Sequence, residues 1–422
     1  MQNQPYTLMA KPAGPLCNLD CKYCYYLEKE QLFPSRSPMH MSELVLERYI
    51  KDYIKQQYSL GLRQIGFNWQ GGEPTISGIA FYKRAVELQQ KHCPKGAKIT
   101  NAFQTNGILI EENWARFFKE HDFLVGLSID GPKELHDANR PDKAGRPTFD
   151  KVMRAAQILQ EHGVATNALV TVNRANAKKP LQVYRFLKAS GFRFLQFIPI
   201  VERTLDGSSL ASAPQLDEDG IAPFVTDWSV LPRDYGQFLK AVFDEWLASD
   251  VGKISVQLFD VQLEQTLGLP AGLCWFAPTC GNALALEHNG DLYACDHYVY
   301  PQYKLGNICE TPMGDLVSSE SQLAFGQDKQ ASLPQDCLNC DIRAACNGGC
   351  PKHRFLKAKS GDKPLNYYCR STQIFYRHAK PYLEFIAQIY QSGVPVSQIG
   401  PILQQNLVQL RNEASKSRTK NK

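Results

Sequence analysis

No apolar run in this chain approaches the roughly 18 residues that a membrane span requires, so no membrane partner is expected. The opening Met1-Gln-Asn-Gln-Pro has neither the charged start nor the apolar core of a secretory signal. Excess charge of one sign is also nearly absent. Lys and Arg number 47 against 42 Asp and Glu, and much of the net +5 over 422 residues lies in the terminal SKSRTKNK. That balance calls for no nucleic-acid partner, and the basic end reads as a solvated tail. Even the pairing of cysteines is missing: thirteen is an odd number, which argues against a disulfide framework and for thiols kept in a reducing cytoplasm.

What is present is a pattern of cysteines. Cys17, Cys21 and Cys24, in CNLDCKYCYY, stand at CxxxCxxC spacing. A zinc knot closes with four ligands in two pairs, and the only nearby histidine, His40, lies across a Pro-containing loop. Three thiolates on a 4Fe-4S cluster instead leave one iron without a protein donor, and an open iron can bind a substrate or cofactor. At 422 residues the chain exceeds what one core usually holds, so two domains are expected.

Periodicity up to about residue 250 alternates strand and helix. Short apolar runs at 6–10, 64–69, 99–104, 123–129, 165–172 and 192–198 each precede a helical pattern, at 42–57, 79–92, 111–120, 148–162, 180–190 and 233–249, with Ser42 and Thr148 as expected N-caps. Six such units imply α/β architecture, a parallel sheet with helices outside, either a partial barrel or doubly wound. In both, ligands gather beyond the carboxyl ends of the strands. The cysteine triad, GGEP (Gly71 to Pro74), QTNG (Gln104 to Gly107) and SIDG (Ser128 to Gly131) follow the first four strands in turn, all on one rim.

Triad, following aromatics and GGEP together resemble the radical S-adenosylmethionine (SAM) superfamily, whose fold is a partial (β/α)6 barrel and whose open iron chelates SAM. The resemblance implies that Gly72 lines the SAM site, that Tyr23 packs beside the adenine unless it is a core aromatic, and that Ser128, Arg140 and the backbone of Val201 contact the cofactor. Glu73 offers an acceptor near the methionine ammonium.

Further on, Cys274, Cys280, Cys295, Cys337, Cys340, Cys346, Cys350 and Cys369 keep a spacing similar to the SPASM extension of peptide-modifying radical SAM enzymes. By resemblance, Cys274, Cys280, Cys295 and Cys350 hold one auxiliary 4Fe-4S cluster, and Cys337, Cys340, Cys346 and Cys369 a second, giving three clusters in all. Structural zinc is the alternative for the CxxC portion; Cys93 and Cys309 fit neither set and read as ordinary thiols. Asp296, in YACDHY, matches the general base of the anaerobic sulfatase-maturating enzymes; His297 beside it reads as structural. The expected division is a radical SAM core over 1–250, a SPASM domain over 251–380, and a C-terminal helix with basic tail over 381–422. The implied activity is radical oxidation of a cysteine or serine in an unfolded sulfatase segment, CxPxR or SxPxR, to Cα-formylglycine, with electrons from a donor such as flavodoxin or ferredoxin. The polar loop 202–223 is a candidate cover for that peptide or a disordered insertion. The alternative is a SPASM maturase that crosslinks a ribosomal peptide through thioether or carbon-carbon bonds.

Overall fold

The computed structural model describes residues 4–33, 39–205 and 224–420. All but the first four residues of the 202–223 loop lie outside that range. The six expected strands form: β1 (Thr7–Lys11), β2 (Gln64–Trp69), β3 (Lys98–Thr105), β4 (Phe123–Ser128), β5 (Ala165–Val172) and β6 (Phe194–Pro199). Between and after them come α1 (Glu43–Ser59), α2 (Gly78–His92), α3 (Glu112–Glu120), the short α4 (Lys133–Asp137), α5 (Phe149–Glu161), α6 (Pro180–Ala189) and α7 (Pro232–Ser249). Each of β1 to β6 runs parallel to its neighbour in chain order, as strand-helix crossovers require.

Period-two alternation sorts the side chains. Ile65, Phe67 and Trp69 of β2, with Phe103 of β3 and Phe123 and Val125 of β4, are buried under α1, α2 and α3. The intervening positions, such as Asn68, Gly126 and Gln196, are less buried, and Leu124 and Ile198 stay 41% and 42% exposed. The barrel is thus packed on its helical side and open inside.

Ser42 caps α1, its side chain accepting from the Val45 amide at 3.3 Å. Thr148 does not cap α5. Its hydroxyl donates to Arg140 O at 2.6 Å, while Asp137 Oδ1 accepts the amides of Thr148 and Phe149 at 2.9 Å each. An anionic acceptor suits the positive helix end better than a hydroxyl, and Thr148 is left to hold the Arg140 loop.

The sheet does not stop with the six units. Its order is Lys304–Asn307, Asp291–Tyr293, Ala283–Glu287, β1 to β6, then Ser255–Val256. Ala283–Glu287 lies parallel to β1, with Lys11 opposite Glu287, and Ser255–Val256 pairs with β6. The cysteine-rich third is therefore built onto the barrel's own edge. The helix Cys369–Gln391 runs unbroken past residue 380 and packs on α7, where the Phe243 and Phe375 rings lie 5.7 Å apart. A Cβ on Gly236 would stand 3.0 Å from Ile374 Cβ, so the two helices meet closely there.

Candidate active site

The loop that carries Cys17, Cys21 and Cys24 leaves the end of β1, and the ends of the neighbouring strands clamp it. Gly72 N donates to Gly14 O at 2.8 Å and Glu73 N to Leu16 O at 2.7 Å. From the other side Asp20 N donates to Pro141 O and Lys22 N to Asn139 O, both at 3.0 Å. From the end of β3, Asn106 Nδ2 donates to Asn18 Oδ1 at 2.7 Å and lies 3.7 Å from Cys17 Sγ. Burial pushes the Cys17 and Cys21 thiols up to about 12, so thiolates here would need a cation among them.

Gly72 has no room for a side chain: a Cβ would stand 2.1 Å from Leu16 O and 2.4 Å from Pro15 O. Its smallness is what brings the GGEP turn against the cysteine loop. Gly72→Ala is therefore expected to displace that loop, lowering iron on reconstitution by about four per chain and abolishing SAM binding. Unchanged iron and SAM binding would show that the turn can give way.

Glu73, expected near the methionine ammonium, is anchored by hydrogen bonds within the chain. It is buried, and its Oε1 accepts from Thr75 N, Thr75 Oγ1 and Thr105 Oγ1 at 3.0, 2.6 and 2.7 Å while Oε2 accepts from Asn106 N at 2.8 Å. Burial raises its pKa, and these bonds oppose the rise. With both oxygens engaged, Glu73 ties the ends of β2 and β3 together. It positions the site from behind.

Tyr23 and Arg140 do come together, joined by a residue that the motif SIDG contained but to which no role was given. Asp130 accepts from Tyr23 Oη at 2.5 Å and from Thr171 N at 3.1 Å, and Arg140 Nη1 donates to Tyr23 Oη at 2.8 Å. Arg140 Nε is buried and has no partner among the described residues, an arrangement that fits a ligand carboxylate. Ser128 ends β4, half-buried on this rim, and Val201 follows β6 within the core.

His136 supports the same loop, with Nδ1 3.4 Å from Asp130 N and Nε2 3.1 Å from Thr148 Oγ1. Burial, then the Arg140 guanidinium, lowers its pKa to about 3. The unfolded chain binds this proton near pH ~6.5 whereas the folded chain does not, so His136 contributes stability above that pH that is lost as pH falls toward about 3. The loss is on the order of a few kcal/mol. Melting temperature should fall from pH 6.5 to pH 5, and His136→Gln should flatten the slope; equal slopes would exonerate the histidine.

Asp296 lies one residue past Cys295, beyond the short strand Asp291–Tyr293. Lys11, the last residue of β1, lies 2.6 Å from its Oδ1, and Tyr25 Oη donates to Oδ2 at 2.7 Å. Lys11 also donates to Gln70 Oε1 at 2.8 Å and lies over the Tyr26 ring. Burial pushes the Asp296 carboxyl up, but Lys11, His297 and the hydrogen bonds from Lys11 and Tyr25 outweigh it and hold the group at about 2. The carboxylate is ionised, oriented by two donors, and 22% accessible. A lysine ending an apolar strand on the functional rim was the available sequence clue to Lys11. Tyr25, beside the third cysteine, had no such mark.

The later cysteines segregate into two groups by mutual electrostatic influence. Cys280, Cys295 and Cys350 each feel Cys274, and Cys280 and Cys295 feel Cys350. Cys369 feels Cys346, Cys337 and Cys340, and these four thiols line one cavity of about 360 Å³. Cys369 opens its helix, where the positive end favours a thiolate. Each grouping contains the members of one of the two interleaved sets that the resemblance implies.

With this geometry in place, the similarity to known proteins becomes specific. The model of the Radical SAM superfamily matches residues 12–187, and that of an iron-sulfur cluster-binding domain, SPASM, matches residues 274–341. The chain is 44% identical over 386 residues to the serine-type anaerobic sulfatase-maturating enzyme of Bacteroides thetaiotaomicron, covering 91% of each. It belongs to the anaerobic sulfatase-maturating enzymes. The cysteine-type member from Clostridium perfringens is 37% identical, over 91% of this chain and 98% of that one. The solved structure of native anSMEcpe with bound AdoMet and Cp18Cys peptide superposes with a TM-score of 0.78 at 36% identity, covering 91% of this chain and 99% of that one. An anaerobic sulfatase-maturating enzyme is a radical SAM oxidoreductase, and its partial barrel with an iron-sulfur extension is the architecture found here. Among the described residues no helix is long and apolar enough to cross a membrane.

Proposed function

We propose that this enzyme oxidises a cysteine or serine in an unfolded sulfatase segment to Cα-formylglycine, using SAM and three 4Fe-4S clusters. The observation that carries the reading is Asp296, which links the barrel to the auxiliary region: Lys11 and Tyr25 hold it from the barrel side, and Cys295 precedes it in a predicted ligand set. In this reading Cys17, Cys21 and Cys24 hold the open cluster, and Tyr23, Gly72, Glu73, Ser128, Arg140 and Val201 surround SAM. Cys274, Cys280, Cys295 and Cys350 hold one auxiliary cluster; Cys337, Cys340, Cys346 and Cys369 hold the other.

SAM bound at the open cluster supplies, on one-electron reduction, a 5′-deoxyadenosyl radical. Arg140 fixes the cofactor's carboxylate, and the tight Gly72 turn keeps the cysteine loop in place. Once a β-hydrogen atom has left the substrate, its thiol or hydroxyl becomes far more acidic, so the weakly basic Asp296 suffices to take the proton. Lys11 and Tyr25 keep the carboxylate ionised and aimed. The remaining electron would pass to an oxidised auxiliary cluster; the serine-derived aldehyde is formylglycine itself, and the cysteine-derived thioaldehyde is hydrolysed by water to formylglycine with release of hydrogen sulfide.

An extended segment is the expected partner, since a side chain packed within a folded sulfatase would not reach the barrel interior. The reading takes the protein to work in the cytoplasm with a flavodoxin- or ferredoxin-like donor, and it calls for neither a membrane nor a nucleic-acid partner. The chain divides near residue 250, while the expected boundary near 380 falls inside the continuous helix Cys369–Gln391 and is not kept. Anaerobic incubation with SAM, reductant and peptides bearing CxPxR or SxPxR, followed by mass spectrometry, tests the reading. Formylglycine in either peptide supports it. A crosslinked peptide would point to thioether or carbon-carbon bond formation, and 5′-deoxyadenosine formation without any altered peptide would remove the sulfatase substrate.

A further inference from the structure

Between Cys346 and Cys350 lies Asn347-Gly348-Gly349, a segment with no role in the reaction described above. All three residues take left-handed backbone, with φ of +47°, +71° and +63°. Glycine adopts such backbone at no steric cost, and here the three carbonyls share one centre. The centre is Arg354, whose Nε donates to Gly348 O at 3.2 Å and whose Nη2 donates to Asn347 O and Gly349 O at 3.4 Å each. A Cβ on Gly348 would stand 2.3 Å from Leu333 Cδ2 and 2.8 Å from Arg354 Nη2, so the glycine is required by this wrapping.

Arg354 is joined to a second cation. Its Nη1 donates to Lys329 O at 2.7 Å and to Ser332 Oγ at 2.9 Å. Lys329 is wholly buried, and its Nζ donates to Cys274 O at 2.6 Å, to Trp275 O at 2.9 Å and to Ala277 O. These carbonyls belong to the irregular loop carrying Cys274 and leading to Cys280. A buried cation without an opposing charge is costly. Burial lowers the pKa of both cations, and the negative charge that opposes it is that of the cysteines: Cys280, Cys274 and Cys350 for Lys329, and Cys337, Cys280 and Cys350 for Arg354. Arg354 thus reaches both ligand sets.

We propose that Lys329 and Arg354 form a cationic bridge between the two auxiliary cluster sites, shaping a ligand loop each through backbone carbonyls and raising the reduction potentials of the clusters held there. The proposal rests on the two-auxiliary-cluster reading. A reduced cluster carries one more negative charge than an oxidised one, so an adjacent desolvated cation favours reduction. The electron concerned is the second of two. The first leaves the substrate with the β-hydrogen atom, the heteroatom proton goes to Asp296, and the remaining electron is left for an oxidised auxiliary cluster, which is reduced by one. The bridge makes that acceptance favourable.

The test uses the full chain with Cys17, Cys21 and Cys24 changed to Ala, reconstituted anaerobically so that only auxiliary clusters titrate. Potentiometric titration followed by electron paramagnetic resonance compares this parent with Lys329→Gln, Arg354→Gln and the charge-keeping Lys329→Arg and Arg354→Lys. The Gln variants should lower the reduced-to-oxidised ratio at fixed potential about tenfold, about 59 mV for a one-electron couple, while the charge-keeping variants stay near the parent. If a Gln variant sheds its iron, retention of iron and potential by its charge-keeping partner supports the bridge. Retained iron with an unchanged ratio in the Gln variants overturns it, as does equal loss of iron from both charge-keeping variants. Fewer than about eight irons in the parent would instead defeat the cluster assignment, a separate failure.

Discussion

Replacing Cys17, Cys21 and Cys24 with Ala should abolish SAM cleavage and remove about four of about twelve irons per chain, leaving the auxiliary clusters in place. The expectation of separability comes from the ligand sets. No cysteine of the triad is shared with the later sets, and the triad's loop is held by backbone bonds from Gly72, Glu73, Asp20 and Lys22 that do not involve sulfur. The loop should therefore keep its course when the thiols are gone. The later sets interleave along the chain, so neither forms from a contiguous segment, and loss of any one of those cysteines should disturb folding of the extension as well as its iron. Iron analysis, visible absorption and 5′-deoxyadenosine formation measure the three consequences. An iron content near four in fully reconstituted, well-folded wild-type protein would defeat the auxiliary assignment; SAM cleavage surviving in the triple variant would defeat the assignment of the triad.

Much of this was legible in the chain because the constraints are local. Ile65, Phe67 and Trp69 alternate, and α1 begins where Ser42 offers a cap, so strand and helix follow from neighbours in sequence. The cysteine spacings carry a resemblance, and it is the resemblance that divides the later cysteines into ligand sets. What sequence did not disclose depends on contacts across long separations. Lys11 meets Asp296 only because Ala283–Glu287 adds to β1, a parallel pairing that no local pattern announces. Asp137 displaces Thr148 as the cap of α5 because α4 brings a carboxylate to that helix end. Glu73 was expected near the ligand, and its position at the junction of β2 and β3 also gives it the hydrogen bonds of Thr75, Thr105 and Asn106. In each case a charged group found its partner through the sheet order, which the sequence leaves open.

Asp296→Asn should leave radical generation intact while formylglycine production falls about a hundred- to ten-thousand-fold, the usual contribution of a general base. Asparagine keeps the size of the side chain and can still accept from Tyr25 or Lys11 through its one carbonyl oxygen, but it lacks the anionic oxygen that takes a proton. Its amide also faces Lys11, which lay 2.6 Å from the carboxylate, so the ammonium loses its counter-charge. The cysteine triad is untouched, and 5′-deoxyadenosine should therefore form at close to the wild-type rate even though peptide is no longer converted. The separation of the two rates is the diagnostic result. Lys11→Met provides the contrast: it removes the cation that holds Asp296 without removing the base, so the loss of formylglycine should be smaller than for Asp296→Asn. If Asp296→Asn converted peptide as the wild type does, another group would be the proton acceptor; if it lost about four irons, the carboxylate would instead be supporting the auxiliary cluster through Cys295.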